Sequence, residues 1–88
     1  MNECTAVNKE VTITAVYFSN RRGLRSFPKR MEYAGNTITF LESGLRYLVK
    51  RGQKMVHIFD MTDGTDTYRL RFDEHAFNWI LVNITRNV

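Results

Sequence analysis

Cysteine and proline are nearly absent from this chain, with one residue of each among 88. The single thiol, Cys4, cannot form an intramolecular disulfide, so we expect a reducing cytoplasm rather than an oxidising compartment. One proline and five glycines argue against a disordered or low-complexity chain, because such chains are rich in both residues. The length corresponds to one globular domain with a single core.

Long hydrophobic runs are also missing. No stretch approaches the roughly 18 apolar residues of a membrane helix. The opening sequence, MNECTAVNKEV, lacks the basic and apolar segments of a secretory signal. We therefore expect neither membrane insertion nor secretion.

Residues that carry catalysis or hold cofactors are sparse. Histidine occurs only as His57 and His75, and no serine has the glycine-flanked setting of a nucleophile on a strand-to-helix turn. The run DMTDGTD, with Asp60, Asp63 and Asp66, departs from the spacing of an EF-hand calcium loop, and turn chemistry explains Asp63 better. We expect no enzymatic activity, no cofactor and no metal site.

The chain does contain strand alternation, which is clearest in residues 54–73, KMVHIFDMTDGTDTYRLRFD. The Asp63-Gly64 pair predicts a β-hairpin turn, because a type I′ loop needs positive φ at both positions. The ladder then pairs Phe59 with Tyr68, with apolar residues on one face and mixed residues on the other. A loop of odd length would slip the register and exchange the faces. His57 falls on the apolar face, where we expect a core or strand-edge histidine rather than a base.

Three further turns extend this hairpin into a meander. Gly35-Asn36 pairs Tyr33 with Ile38, Arg51-Gly52 pairs Val49 with Lys54, and a turn at residues 73–76 pairs Phe72 with Phe77. The last strand places Trp79 opposite Leu70, and therefore in the core. Pro28 cannot donate to a ladder, so strand pairing there is limited to an edge or to the first residue of a strand.

Residues 45–50, LRYLVK, are compatible with two structures. As a helix, the segment would be capped by Ser43 and stopped by Gly52. As a strand, it would supply apolar partners for Val56 and Ile58. Its β-branched and aromatic content favours the strand.

The predicted fold is all-β, a single small domain. Residues 1–10 carry no periodicity and are expected to be a loose N-terminal lead-in, followed by one β domain over residues 11–88. Both faces of several strands are apolar, which a flat sheet would leave exposed to water. The sequence therefore predicts a meander of six or seven antiparallel strands, curled into a small barrel or a two-layer sandwich.

Positive charge is concentrated in one part of the chain. The net charge is +4, and residues 21–54 contain nine basic residues against two acidic ones. Cations interleaved with aromatic rings are typical of nucleic-acid sites, because cations contact phosphates and rings stack on unpaired bases. The predicted nucleic-acid-binding residues are Arg21, Arg22, Arg25, Phe27, Lys29, Arg30, Lys50, Arg51 and Lys54.

Two functions are compatible with this pattern. The first is a non-enzymatic module that binds single-stranded RNA or DNA, as a monomer or small homo-oligomer. The second is a protein interaction domain that binds an acidic partner through the same patch, or a peptide along an open strand edge such as the one near Pro28. The basic stretch also has a purely structural explanation, because charges on a strand edge prevent aggregation.

Overall fold

A computed structural model describes residues 2–20 and 25–87 of the chain. Within these ranges the chain forms seven strands and no helix, which confirms the predicted all-β class. The strands are β1 (Asn2–Ser19), β2 (Arg25–Tyr33), β3 (Asn36–Thr39), β4 (Leu45–Arg51), β5 (Lys54–Thr62), β6 (Asp66–Asp73) and β7 (Asn78–Asn87). The described residues thus include no helix long and apolar enough to cross a membrane.

All seven strands belong to one antiparallel sheet in the order β3-β2-β1-β7-β6-β5-β4. The long β1 joins two parts of this sheet, because its first half pairs with β7 and its second half with β2. After β3 the chain crosses to β5, where the backbone N–H of Leu41 donates to the carbonyl oxygen of Thr62 at 2.8 Å. The sheet curls, as predicted. It is not a closed barrel, because β3 and β4 share no ladder in the described residues.

The core lies on the inner face of the curled sheet. Its buried side chains are Val11, Phe27, Met31, Phe40, Phe59, Met61, Tyr68, Leu70 and Leu81. Trp79 packs against this core, with its ring centre 5.1 Å from that of Phe59 and 4.9 Å from that of Phe72. Strand β4 contributes no side chain to the buried set, so one edge of the sheet extends beyond the core.

The expectation of a loose lead-in at residues 1–10 does not match the structure. Residues from Asn2 onward form the first half of β1, paired with β7 from Asn2 opposite Asn87 to Val11 opposite Trp79. A register shift between Ala6 and Lys9 interrupts the ladder. This polar segment carries no apolar alternation of its own, so its order comes from the ladder with β7.

The four predicted hairpins have the correct faces but the wrong partners. In the β5–β6 hairpin Phe59 lies opposite Leu70 rather than Tyr68, and both side chains remain on the core face. The other three hairpins are displaced by two residues in the same way: Met31 pairs with Ile38, Val49 with Val56, and Phe72 with Trp79. A shift of two residues leaves side chains on their faces, because strand side chains alternate with a period of two. The exception is the end of β7, where a register shift after Leu81 sets Ile84 opposite the buried Tyr68. Residues 45–50 form the predicted strand.

The displacement originates in the turns. Ala34 and Gly35 both have positive φ, 51° and 77°, so the β2–β3 loop is Ala34-Gly35 rather than Gly35-Asn36. Glycine fits either position of a type I′ loop. It therefore marks the turn without fixing the register.

Pro28 lies inside β2, opposite Val16. The β2–β3 ladder spans only Arg30 to Tyr33, so β2 is paired on one side at Pro28, in agreement with the predicted edge position. The β1–β2 ladder has a register shift between Ala15 and Val16, next to this pair. A bulge is one of the few positions where a sheet accepts proline.

Candidate functional site

A cleft of about 540 Å³ lies between the edge strand β4 and the adjoining ends of β1 and β2. It is lined by Tyr17, Ser19, Arg25 and Phe27 on one side and by residues 42–48 on the other. The curled sheet brings β4 to β2 without a ladder between them. Arg46 spans the gap, with one guanidinium nitrogen donating to the carbonyl oxygen of Ser26 at 3.3 Å. The volume is in the range of small-ligand sites.

Tyr17 and Phe27 form an aromatic wall. Their rings stack with centres 5.2 Å apart and an interplanar angle of 12°, and Phe27 meets Phe59 edge-on at 6.0 Å. The Tyr17 hydroxyl accepts a hydrogen bond from the backbone N–H of Gly44 at 3.4 Å. Burial raises the pKa of Tyr17; the Gly44 bond lowers it and the Glu42 carboxylate raises it further. The phenol is therefore neutral at physiological pH.

Arg46 lies on the floor of the cleft. Its guanidinium carbon is 5.2 Å from the centre of the Phe59 ring, a cation–π distance. Burial lowers the pKa of Arg46, and the nearby Arg25 lowers it further, while Glu74 raises it. The group still carries its charge at neutral pH, because an arginine guanidinium stays protonated in proteins. Arg46 is thus a partly buried cation between two strands.

His57 connects Arg46 to Glu74. A second guanidinium nitrogen of Arg46 lies 3.1 Å from Nδ1 of His57, and Nε2 of His57 lies 2.5 Å from Oε1 of Glu74. Arginine has only donors, so Nδ1 accepts and the proton of the neutral ring is on Nε2, which donates to Glu74. These contacts hold His57, which lies within β5, between Arg46 and Glu74, and they orient Arg46.

Arg25 supplies a second cation to the cleft. It is exposed at the start of β2 and is close enough to Arg46 to lower the pKa of that guanidinium. In residues 2–20 and 25–87, neither arginine forms an ion pair with a carboxylate. Two like charges held together favour the binding of an anion, although the Glu74 carboxylate beyond His57 offsets part of the charge of Arg46.

The other predicted basic residues that the structure describes lie on β2 and at the tip of the β4–β5 hairpin. Lys29 forms an ion pair with Glu42 at 3.2 Å and lies 5.8 Å from the centre of the Tyr17 ring, so a carboxylate already neutralises it. Arg30 is exposed on β2. The exposed residues Lys50, Arg51 and Lys54 lie at the tip of the β4–β5 hairpin, and Arg21 and Arg22 fall outside the described residues.

The prediction that Phe27 stacks on a base needs correction. Phe27 is only 9 % exposed and belongs to the core. Tyr17 covers one face of its ring. A ligand in the cleft would therefore meet Tyr17 rather than the free face of Phe27.

The sequence did not assign Tyr17 and Arg46 to the site. One local signal was available for Arg46, since it shares the inner face of β4 with Leu48 and Lys50 and lies opposite the buried Phe59. Its hydrogen bond to Ser26 and its proximity to Arg25 depend on the curl of the sheet, and local alternation does not encode that curl.

Acidic side chains of the β5–β6 hairpin have structural roles. Oδ1 of Asp63 accepts hydrogen bonds from the backbone N–H groups of Thr65 and Asp66, both at 2.8 Å, so Asp63 stabilises the turn. The loop spans residues 63–66 and Asp63 has no positive φ, so it is not the predicted two-residue type I′ turn. Asp60 forms an ion pair with Arg69 at 2.9 Å. Across the described part of the chain, no three His, Cys, Asp or Glu side chains are grouped as a metal site would require.

No protein-family model, curated protein or solved structure matches the chain. Function must therefore be inferred from the cleft and from the exposed surfaces around it.

Proposed function

We propose that this domain is a non-enzymatic module that binds single-stranded RNA or DNA at the mouth of the cleft. The observation that supports this proposal is the convergence of Arg25 and Arg46, two guanidinium groups from different strands. A phosphate bound between them would offset their mutual repulsion. Guanidinium groups also bind phosphate oxygens through paired hydrogen bonds. Arg25 and Arg46 are the proposed phosphate contacts.

The walls of the cleft favour an unpaired base over a duplex. Leu45 and Leu48 are exposed apolar side chains of the facing strand. Tyr17 offers the edge of its ring, because Phe27 stacks on one face and Lys29 lies over the ring. The face of a free base is planar and apolar, and it can enter such a cleft and pack against these apolar groups. Bases in a duplex are already stacked and paired, so they present only their edges. We therefore expect the domain to bind single-stranded nucleic acid more tightly than a duplex.

The β4–β5 hairpin extends the basic surface. Lys50 lies on the same face of β4 as Arg46, and the two residues are about 13 Å apart at roughly 3.3 Å per residue. Arg51 and Lys54 lie opposite each other at the tip of the same hairpin. An oligonucleotide with one phosphate bound to Arg46 would reach these cations with its next nucleotides.

The proposal assigns no catalytic role and no cofactor to the domain. It places the protein in the cytoplasm, where RNA and single-stranded DNA are accessible and the exposed thiol of Cys4 would stay reduced.

The test is a fluorescence-anisotropy titration against short single-stranded RNA, single-stranded DNA and duplex DNA of equal length, at low and near-physiological salt. We expect saturable binding that prefers single strands and weakens linearly with the logarithm of salt concentration. Arg25→Gln and Arg46→Gln should each reduce affinity, and each should lower the salt slope by about one for the lost phosphate contact.

Arg86→Gln provides the matched control, because Arg86 is exposed on β7 and lines no part of the cleft. It removes the same charge, so its affinity should stay close to that of the wild type. The proposal would be wrong if binding were absent at physiological salt. It would also be wrong if all three variants lost affinity equally, because that result would indicate attraction to the net charge alone.

A further inference from the structure

Strand β4 is an open edge of the sheet. Its seven residues pair with β5 on one side only, and no described strand pairs with its other side. An antiparallel ladder uses the peptide groups of alternate residues for each neighbour. Every second peptide group of β4 is therefore left to water or to a further strand.

The outer face beside this edge is apolar. Tyr47 lies directly opposite Ile58, and Val49 lies opposite Val56. Tyr47 and Val49 are each 38 % exposed, so the stripe is only partly covered by the domain itself. A strand added to β4 would extend this stripe with its own outward side chains.

The inner face of the same edge is basic. Arg46 and Lys50 flank Leu48 there, and β4 contains no acidic residue. A second copy of the chain is a poor occupant, because pairing the full length of β4 with itself in antiparallel fashion sets Arg46 opposite Lys50. Like charges in directly opposed positions destabilise a ladder. Charge complementarity requires an acidic partner on this face.

We infer that β4 receives, as an eighth strand, an extended segment of a partner protein in which apolar and acidic residues alternate. The apolar side chains pack on Tyr47 and Val49 at the outer face, and the carboxylates face Arg46 and Lys50 at the inner face. Main-chain hydrogen bonds supply affinity, and the alternation supplies specificity. The inference shares Arg46 and Lys50 with the proposed nucleic-acid surface, so a peptide and an oligonucleotide would compete for this face, whereas Arg25 belongs to the nucleic-acid proposal alone.

The experiment uses a blocked, fluorescein-labelled heptapeptide of alternating valine and glutamate, which matches the seven residues of β4. We expect saturable binding, and a heptapeptide of alternating valine and lysine should bind at least tenfold more weakly. By amide hydrogen exchange, the peptide should protect alternate residues of β4 and leave β3, the other edge, unchanged. No binding, or equal protection of both edges, would overturn the inference.

Methylation of the peptide nitrogens tests main-chain pairing. One peptide is N-methylated at its valines and another at its glutamates. Only the backbone N–H groups of one residue type, valine or glutamate, point towards β4 and donate hydrogen bonds to it. We expect one methylated peptide to lose binding while the other retains it. Retention of binding by both would mean that side chains alone hold the peptide, and strand addition would be excluded.

Paired substitutions locate the contact. Val49→Ala should weaken peptide binding about fivefold through lost apolar contact. Val16→Ala makes the same change at an exposed valine on β1 and should have no effect. Arg25→Gln should weaken oligonucleotide binding and leave peptide binding unchanged, so the two proposals fail or succeed separately. Equal losses in Val49→Ala and Val16→Ala would contradict the assignment to β4.

Discussion

The Tyr68 hydroxyl donates a hydrogen bond to Oδ2 of Asp63 over 2.9 Å, and this contact joins the β5–β6 turn to the core. Tyr68 is buried. The other carboxylate oxygen of Asp63 accepts two backbone N–H groups of the turn. One carboxylate thus stabilises both the loop and a core hydroxyl.

This arrangement predicts a pH-dependent stability. Burial tends to raise the pKa of Asp63, but hydrogen bonds from the Asp66 and Thr65 N–H groups and from Tyr68 outweigh it, so the pKa lies below its ordinary value. A carboxyl whose pKa is lower in the folded state contributes stability above its unfolded pKa, which is about 4. That stability is lost as the pH falls through the folded pKa. We expect Asp63→Asn to cost about 1 kcal/mol at pH 7 and progressively less below pH 4.

Urea denaturation at a series of pH values measures this effect. The wild-type and Asp63→Asn stabilities should converge as the pH falls from 5 to 2, in the manner that linkage requires. Glu10→Gln, which removes an exposed carboxylate on β1, serves as the control and should run parallel to the wild type. A constant difference between Asp63→Asn and wild type would show that the charge of Asp63 contributes nothing.

Ala34 occupies a backbone conformation that suits glycine. Its φ of 51° at the first position of the β2–β3 loop costs a residue with a Cβ atom roughly 1 kcal/mol. We expect Ala34→Gly to raise the free energy of unfolding by about 0.5 kcal/mol, since the greater freedom of glycine in the unfolded chain offsets part of the gain. Thermal or urea denaturation can detect this change.

Ala15→Gly is the matched control for Ala34→Gly. Ala15 lies within β1 and has no positive φ, so glycine there relieves no strain. It should lower stability by about 0.5–1 kcal/mol. If both substitutions were destabilising, the left-handed conformation of Ala34 would be wrong.

The β2–β3 loop shows which features of the fold could be predicted from the sequence and which could not. Alternation predicted the faces of residues such as Phe59 and Met31, because burial depends only on the parity of a position in its strand. Which residues pair across a hairpin depends on the exact position of its turn, and glycine fits more than one position of such a loop. The prediction therefore placed each turn one residue away and each partner two residues away.

The site was less accessible to sequence reasoning than the fold. Composition identified a basic stretch and included Arg25, but the pairing of Arg25 with Arg46 arises when the curled sheet brings β4 beside β2. The order of residues 2–10 was missed for a related reason, because these residues are ordered by pairing with β7 and carry no apolar alternation of their own. Long-range contacts decided both cases.

Gly44 has no space for a side chain. A Cβ atom there would overlap the Sδ atom of Met61 and lie 3.4 Å from the carbonyl oxygen of Asp60. Met61 is fully buried, so its thioether cannot move aside without disturbing the core. We expect Gly44→Ala to lower the free energy of unfolding by about 1–3 kcal/mol, the usual cost of overpacking.

A double-mutant cycle with Met61→Val tests the cause of that loss. Valine lacks both the Sδ and the Cε atom that a Cβ at Gly44 would meet, and Met61→Val alone should cost about 1–3 kcal/mol through the cavity it leaves. In that background Gly44→Ala should cost less than it does in the wild type, because the overlap is relieved. Additive losses would mean that Met61 is not the obstacle. The obstacle would then be the Asp60 carbonyl oxygen, which lies 3.4 Å from the same Cβ position.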